Sequence, residues 1–410
     1  MARNRGQGKA LPRGREKYAQ CSASSQASDA STDDVFENYI DDLFEKRPAT
    51  RVHGLEGLVS LLCSTVCPEE CMAREETLTR LFLQSVLRGK GAEPLLGARG
   101  LGLLILTLGL EEGGERIWTS TREGLLKTAG GIKADVACAA VDAYAIGCFV
   151  AEDDVFQVLE SMSNLRKLWK KANSKIRAKA IGAWTLLLSS LSPDVPLDSS
   201  FGEVVGILRS FLDEKDLGIR KVAGEALAML HTMGMADDDI LEDSDSMSIA
   251  SSSTCISRSS AMEEVVDKMK GLSQGKGDRR KSKKDRATQR AAFRGFCNFV
   301  EDGVLQETKI KLRHGDVLVI DDLAQLIQLN FIRTMLAEGF QTHIQANELL
   351  HQIFNYSPRS SAPEKLNKRE KRMHKSPSSA TNKMRSVGRG AARNQKDNLM
   401  CGGGGEFGFL

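Results

Sequence analysis

A pattern of about forty residues recurs through the first half of the chain, and it constrains the fold more than any other feature. Each copy is a loop followed by a helix that has an arginine near its start and apolar residues at helical spacing. The arginines are 48, 78 and 43 residues apart, and the longest interval contains one copy without the arginine, so the mean period is about 42 residues. Periods of roughly 40 to 47 residues are typical of HEAT and armadillo repeats. The positions are Arg51, Arg99, Arg177 and Arg220, with the arginine-free copy starting at Val136.

A helix pair with one apolar face cannot bury that face alone, so it must stack on its neighbours. Aromatic residues make up only 5% of the chain, which fits a helical core of Leu, Ala and Gly better than a β sandwich. The sequence therefore predicts a fold dominated by α-helices, an armadillo/HEAT-like α-solenoid of about five helical repeats over residues 33–235. A surface of this kind suits the binding of protein partners.

Residues 290–356 break the repeat. Phe293, Phe296 and Phe299 recur at helical spacing, and polar and apolar residues then alternate from Lys309 to Ile320 about a His-Gly-Asp turn. This pattern predicts a helix and then a β-hairpin, followed by helices at 321–337 and about 342–354. So small an α+β module needs contact with the solenoid or with a partner.

Charge is distributed unevenly along the chain. Residues 1–20 hold six basic and one acidic residue, 359–410 hold twelve and four, and the block 270–294 holds ten and two. Since the whole chain is only +3, removing these +5, +8 and +8 segments leaves about −18 on the remainder. The near-neutral total thus hides an acidic body with three basic segments.

These segments are poor in apolar residues, so we predict disorder for 1–32, for an acidic-to-basic linker at 236–289 and for the tail at 357–410. The start of the chain lacks an apolar leader, and the run Leu101 to Leu110 is half of the ~20 residues that span a bilayer. We therefore expect no membrane association and a cytoplasmic or nuclear location.

The basic clusters are the main candidates for a functional site. Flexible lysines and arginines neutralise phosphates and release counterions, which attracts nucleic acid without sequence preference, and similar clusters serve as nuclear import signals. Plain solubility is the competing interpretation. The candidates are Arg279, Arg280, Lys281, Lys283, Lys284, Lys368, Arg369, Lys371, Arg372, Arg3, Arg5, Arg13 and Arg15. Serines beside the acidic run of the linker are candidate phosphorylation sites, namely Ser244, Ser246 and Ser248.

Other patterns favour structural roles. Cys63, Cys67 and Cys71 have helical spacing, but Pro68 interrupts them and no CxxC pair is present, which favours core thiols over a metal site. The six histidines are scattered, and no nucleophile and base can be paired from the sequence. We expect no enzyme activity, no cofactor, no metal and no small-molecule substrate.

Three segments resemble the interferon-related developmental regulator family. They are EKRPATRVHGLEGLVSLL from Glu45 to Leu62, RGKGAEPLLGARGLGLLILTLG from Arg88 to Gly109, and AEGFQTHIQANELLHQIF from Ala337 to Phe354. The last contains Gly339, Asn347, Leu349, Leu350 and Phe354 of the closing module of the family. The similarity spans roughly residues 33–356 and omits the linker and both tails.

The resemblance implies an armadillo-like, non-catalytic regulator of gene expression. Members of the family are linked to transcriptional co-regulation and to ribosome binding that lowers translation. Two functions stay open at this point. In the first, the solenoid binds a protein surface while the basic segments bind RNA on the ribosome; in the second, the chain is a nuclear transcriptional co-regulator that scaffolds proteins.

Overall fold

The structure, a computed structural model, describes residues 32–358 except 110–111, 172, 194, 196–200, 240–262, 276–281, 304 and 306. The described elements are, in chain order, α1 (Thr32–Phe44), α2 (Pro48–Ser64), α3 (Pro68–Ala73), α4 (Glu75–Arg88), α5 (Glu93–Leu108), α6 (Glu112–Ala129), α7 (Ala134–Ala151), α8 (Val155–Lys167), α9 (Ser174–Leu188), α10 (Phe201–Phe211), α11 (Leu217–Asp239), α12 (263–273), α13 (Lys283–Asp302), β1 (Thr308–Lys311), β2 (Val317–Ile320), α14 (Leu323–Leu336), α15 (Phe340–Ala346) and α16 (Glu348–Ile353).

Residue chemistry fixes where many of these helices begin. The side chains of five capping residues accept a hydrogen bond from a free backbone N–H in the first helical turn, which replaces the partner that such an N–H lacks within the helix. Proline stands in the first turn of three others, where the missing N–H costs nothing. The capping residues are Asp154, Asn173, Ser282, Asp322 and Asn347, and the prolines are Pro48, Pro68 and Pro94.

Helices α1 to α11 form five stacked pairs in two layers. The first layer contains α1, α4, α6, α8 and α10, and the second contains α2, α5, α7, α9 and α11. Each second-layer helix packs on its own partner and on the second-layer helices before and after it. The prediction of an α-solenoid with about five helical repeats is confirmed.

Ion pairs between neighbouring units reproduce the period of the sequence. Arg51 reaches Glu93 at 2.8 Å and Arg177 reaches Glu214 at 2.9 Å, across 42 and 37 residues. The Lys179–Asp142 pair, at 2.7 Å, also spans 37 residues. Arg51, Arg177 and Arg220 lie in the first turns of their helices, as predicted, whereas Arg99 lies in the second turn of α5 because that helix begins earlier, at Glu93.

The prediction of disorder across 236–289 is wrong at two places. Residues 263–273 form α12, and α13 begins at Lys283. Val265 and Met269, one helical turn apart, are buried in the common core, and α13 packs on α11. The many charged residues of this stretch conceal its short apolar stripe, so its composition wrongly predicts disorder. Residues 240–262, 276–281 and the two tails lie outside the described residues.

Helices α12 and α13 form a sixth pair. Gln289 of α13 accepts a hydrogen bond of 2.6 Å from Arg220 at the start of α11, while Phe293 and Phe296 face Gly224 one turn later. Helix α13 therefore runs parallel to α11, as a further second-layer helix. Lys268 of α12 forms an ion pair with Asp213 after α10, which places α12 on the side of the first layer.

The predicted hairpin is present. Strands β1 and β2 are antiparallel, with Lys309 opposite Val319 and Lys311 opposite Val317. Helix α14 follows, but the last predicted helix is divided into α15 and α16 at Asn347, whose backbone is extended and whose side chain caps α16. The module thus has three helices after the hairpin, not two.

The C-terminal module docks on the second layer of the solenoid. Helix α14 contacts α5 and α9, and α15 contacts α2. Three buried side chains of the module donate to backbone oxygens of the solenoid: His343 to Leu62 at 2.9 Å, Asn347 to Leu106 at 2.9 Å and Gln328 to Ser189 at 3.1 Å. The expectation that the module needs the solenoid agrees with this packing.

One helix of the described residues, α7, is long and apolar enough to cross a membrane by length and composition. It lies inside the second layer, between α5 and α9, and also packs on α6. Its apolar composition is that of a helix buried on several sides, so the composition needs no membrane to explain it.

Gly339 is the point of closest approach between the module and the solenoid. A Cβ atom at this position would lie 1.6 Å from the carbonyl oxygen of Cys63. We expect Gly339→Ala to lower the free energy of unfolding by about 3 kcal/mol, because neither backbone can yield without separating the two surfaces. Urea denaturation measures this change.

Gly295→Ala in α13 is the matched control, since nothing lies within 4 Å of its added Cβ. This variant should be more stable than the wild type by about 0.5–1 kcal/mol, as expected for alanine in place of glycine inside a helix. If both variants have equal stability, the close contact at Gly339 does not hold the module.

The docking should also depend on pH through His343. Burial lowers the pKa of this imidazole, an effect that the carbonyl oxygens of Leu62 and Cys63 partly oppose. In the unfolded chain a histidine titrates near pH 6.5, so below about pH 6.5 the unfolded state binds the extra proton and stability falls as the pH falls. If folding lowers the pKa of His343 by one pH unit, the free energy of unfolding falls by about 1.4 kcal/mol on acidification. The full loss is reached only below the pKa of the folded state.

His343→Gln removes this titration but keeps a donor. We expect the difference in unfolding free energy between variant and wild type to be constant above pH 7 and to shift in favour of the variant between pH 7 and pH 5. Denaturation at four pH values measures it, and the difference isolates His343 from His231, whose pKa burial also lowers. A difference that does not change with pH would contradict the prediction.

Candidate nucleic-acid interface

Two of the predicted basic residues lie in the described part of the chain. Lys283 and Lys284 form the exposed first turn of α13, where the hydroxyl of Ser282 caps the backbone N–H of Asp285 at 3.0 Å. The other candidates fall outside the described residues: Arg279, Arg280, Lys281, Lys368, Arg369, Lys371, Arg372, Arg3, Arg5, Arg13 and Arg15, together with Ser244, Ser246 and Ser248.

Helix α13 continues this basic surface beyond its first turn. Arg290 and Arg294, one turn apart, are exposed, whereas Phe293 and Cys297 are buried on the opposite side. The apolar side fixes the helix on α11, so the arginines face solvent. Part of the basic block that we assigned to a flexible linker is therefore carried by a packed helix.

A basic cluster that was not among the predicted candidates lies inside the solenoid. Seven basic and no acidic residues occur between Arg166 and Lys179. Arg177 and Lys179 pair with Glu214 and Asp142 and hold neighbouring units together. Lys167 and Lys170 are exposed around the connection from α8 to α9. The run is visible in the sequence, but the net negative charge of the whole body conceals it.

Lysines of the preceding unit lie beside this cluster. Lys171 donates from Nζ to the carbonyl oxygen of Gly130 at 2.7 Å, which joins the α8–α9 connection to the α6–α7 connection. Lys127 and Lys133 flank Gly130 and are exposed. Within the described ranges, neither of them forms an ion pair, so their charge is available to an anionic partner.

The cysteines that suggested a metal site do not converge. The sulfur atoms of Cys67 and Cys71 lie 3.9 Å apart in the core, whereas Cys63 accepts a weak hydrogen bond from Arg99 at 3.7 Å. Among the described residues, no group of three His, Cys, Asp or Glu side chains is placed to hold a metal ion.

A groove of about 850 Å³ lies between α4 and α6. Of its charged side chains, Arg116 and Glu75 are paired with each other, and Arg116 also contacts Glu112. Its one serine, Ser120, donates to the carbonyl oxygen of Ile117 at 3.0 Å. The groove lining contains neither cysteine nor histidine, the side chains that most often serve as an activated nucleophile and its base.

Two family models match the chain. The interferon-related developmental regulator model matches residues 13–301, and the interferon-related protein conserved region matches residues 347–397. The similarity that we assigned to residues 33–356 is therefore too narrow. The first model includes the linker, and the second covers much of the basic tail, including Lys368 to Arg372.

Two relatives are similar to this chain over most of its length. Interferon-related developmental regulator 2 of Mus musculus is 27% identical over 81% of this chain and 75% of its own length. Interferon-related developmental regulator 1 of Homo sapiens is 26% identical over 78% of this chain and 70% of its own length.

The solved structures that are similar share little sequence. An engineered protein has a TM-score of 0.42 and 13% identity, over 65% of this chain and 97% of its own. The TOG domain of C. elegans Zyg9 has a TM-score of 0.33 and 15% identity, over 54% of this chain and 80% of its own.

Proposed function

This chain belongs to the interferon-related developmental regulator family, a family of regulators of gene expression, and from that premise we propose that it binds ribosomes through RNA and modulates translation without catalysis. The observation that carries the proposal is the concentration of basic residues in segments poor in apolar side chains. One such cluster, Lys368 to Arg372, lies within the conserved region that the second family model matches. Plain solubility does not require basic residues to be concentrated in this way.

RNA is the partner that this chemistry fits best. Lysines and arginines on flexible segments bind phosphates and release condensed counterions, and such binding weakens steeply with salt. The basic segments lack interleaved aromatic residues, so base stacking contributes little. The ribosome offers a dense phosphate surface of this kind, together with proteins that the solenoid can contact.

The proposed mechanism is steric and electrostatic. The lining of the groove between α4 and α6 contains neither cysteine nor histidine, and its Arg116 is paired with Glu75, which supports a binding role over an enzymatic one. The rigid solenoid positions its basic segments on the ribosome, and occupancy of that surface regulates translation.

Sedimentation with purified ribosomes tests the proposal. We expect the full chain to co-sediment at moderate salt and to dissociate as salt rises. Replacing Lys368, Arg369, Lys371 and Arg372 by glutamine should lower the slope of log affinity against log salt by about 3, since each phosphate contact contributes roughly 0.7–0.9. Replacing Glu364, Glu370 and Asp397 by glutamine controls for general effects of altering the tail and should not weaken binding.

If the full chain never co-sediments with ribosomes, the proposed function is wrong. If it co-sediments but neither the glutamine variant nor removal of 359–410 changes the slope, the tail is not the contact. Treating the ribosomes with nuclease before sedimentation separates binding to RNA from binding to ribosomal proteins.

The basic clusters also support a second candidate, a nuclear co-regulator of transcription that scaffolds proteins. Arg279 to Lys284 has the composition of an import signal. Replacing its basic residues by glutamine and imaging the tagged chain in cells distinguishes the two functions. Loss of a nuclear signal would favour the co-regulator, and a cytoplasmic distribution in both proteins would favour the ribosome.

A further inference from the structure

The stacking of helix pairs divides the solenoid into two edges. The connections within each pair lie at one edge, because contacts join them in succession. Arg51 links the first connection to Glu93 after the second, Lys171 links the fourth to Gly130 of the third, and Arg177 links the fourth to Glu214 of the fifth. The second and third meet where a Cβ at Gly124 would touch Leu83 and Leu87. Because α13 runs parallel to α11, its first turn lies at this edge as well.

This first edge, which we call the basic edge, exposes many cations. Exposed carboxylates there are fewer, and three of them are engaged: Asp135 lies 3.6 Å from Lys175, Asp213 pairs with Lys268, and Asp216 caps α11. Among the described residues, Asp41, Glu45 and Asp285 are the others. The exposed basic residues are Lys46, Arg47, Arg88, Lys90, Lys127, Lys133, Lys167, Lys170, Lys175, Lys215, Lys283 and Lys284.

The opposite edge, where one pair leads into the next, is acidic. Within the described part of these connections the basic residues are Arg74 and Arg116, and both are bound to carboxylates, Arg74 to Glu37 and Arg116 to Glu75. The acidic residues around these connections are Glu69, Glu70, Glu75, Glu76, Glu112, Glu115, Glu152, Asp153 and Asp154. The folded body is thus electrically polarised across its width, and its summed charge conceals this.

We propose that the basic edge is a phosphate-binding surface that contacts the backbone of structured RNA. This inference rests on the proposed function and deepens it, because it moves part of the contact from the basic tails to the packed helices. Helices pack about 10 Å apart, so the edge from the third connection to the first turn of α13 extends along roughly 30 Å. A row of lysines of this length can contact successive phosphates of a polyanion. The polyanion repels the acidic edge, and this repulsion orients the basic edge toward the polyanion.

RNA fits this edge better than an acidic protein surface. The exposed groups of the central part, around Lys127, Lys133, Lys167 and Lys170, are almost entirely cationic, which suits a phosphate backbone. Ile132 is the exception, since it is 98% exposed at the tip of the third connection. An aliphatic side chain adds nothing to phosphate binding but would anchor a protein partner, so it discriminates between the two.

The test uses the full chain and a labelled RNA hairpin with a 20-base-pair stem, titrated by fluorescence anisotropy between 50 and 300 mM salt. Glutamine replaces four lysines of the basic edge. We expect a slope of log affinity against log salt that is lower by about 3, and an affinity at least about tenfold weaker at 100 mM salt. The variant carries Lys127→Gln, Lys133→Gln, Lys167→Gln and Lys170→Gln.

A matched variant removes four exposed cations away from the edge and should keep the wild-type slope and affinity. Thermal denaturation of both variants checks that they fold. The control carries Arg80→Gln, Lys221→Gln, Lys309→Gln and Lys311→Gln, all on exposed surfaces of α4, α11 and β1.

Three results would overturn the assignment of the edge. If the wild type binds the hairpin and the edge variant binds with the same slope, the tails carry the contact and the proposed function stands. If both variants lose the same slope, binding is diffuse and the edge is not a site. If Ile132→Ser abolishes ribosome binding while hairpin binding is unchanged, a protein occupies the edge. A wild type that binds neither hairpin nor ribosome refutes the proposed function itself.

Discussion

Helix α5 has no polar face, and the rest of the architecture follows from this constraint. From Leu101 to Leu108 every residue of α5 is buried. A helix that is apolar all round is stable only when other elements cover every side. Its first-layer partner α4 and the neighbouring helices α2 and α7 cover three sides, and α14 covers the fourth. The solenoid and the C-terminal module therefore belong to one core, which continues without a break from Phe36 to Phe354.

The family resemblance and the docking geometry point to the same side chains. Gly339 is small enough to let the module approach the carbonyl group of Cys63. The side chain of Asn347 donates a hydrogen bond to the carbonyl oxygen of Leu106, and its oxygen caps α16. Leu349, Leu350 and Phe354 are buried in the common core, and Leu349 lies against Gly109 of the solenoid. Gly339, Asn347 and Leu349 therefore contact the solenoid directly, and a surface role would not explain the requirement for glycine at position 339.

The sequence was informative where structure is local and periodic. The 42-residue period predicts the helix pairs because each unit repeats its own apolar stripe, and alternation from Lys309 to Ile320 predicts the hairpin. The docking was not predictable in detail, since its hydrogen bonds join residues 281 and 241 positions apart, such as His343 and Leu62. No short-range pattern records such a pairing. The sixth helix pair was predicted only in part: the spacing of Phe293, Phe296 and Phe299 indicates the second half of α13, whereas the many charged residues before it conceal α12 and the start of α13. For the candidate interface, Lys283 and Lys284 could be named from sequence, whereas the lysines around Gly130 come together only through stacking.

Open arrays of helix pairs behave as springs, because each unit touches only its two neighbours and small rotations accumulate along the array. The C-terminal module changes this mechanical property. It contacts α2 in the first unit, α5 in the second and α9 in the fourth, and so acts as a brace across the array. Bending the solenoid would require these contacts to slide or break. The spacing between successive connections is thereby set in advance, and a partner that matches the spacing spends none of its binding energy on straightening or curving the array.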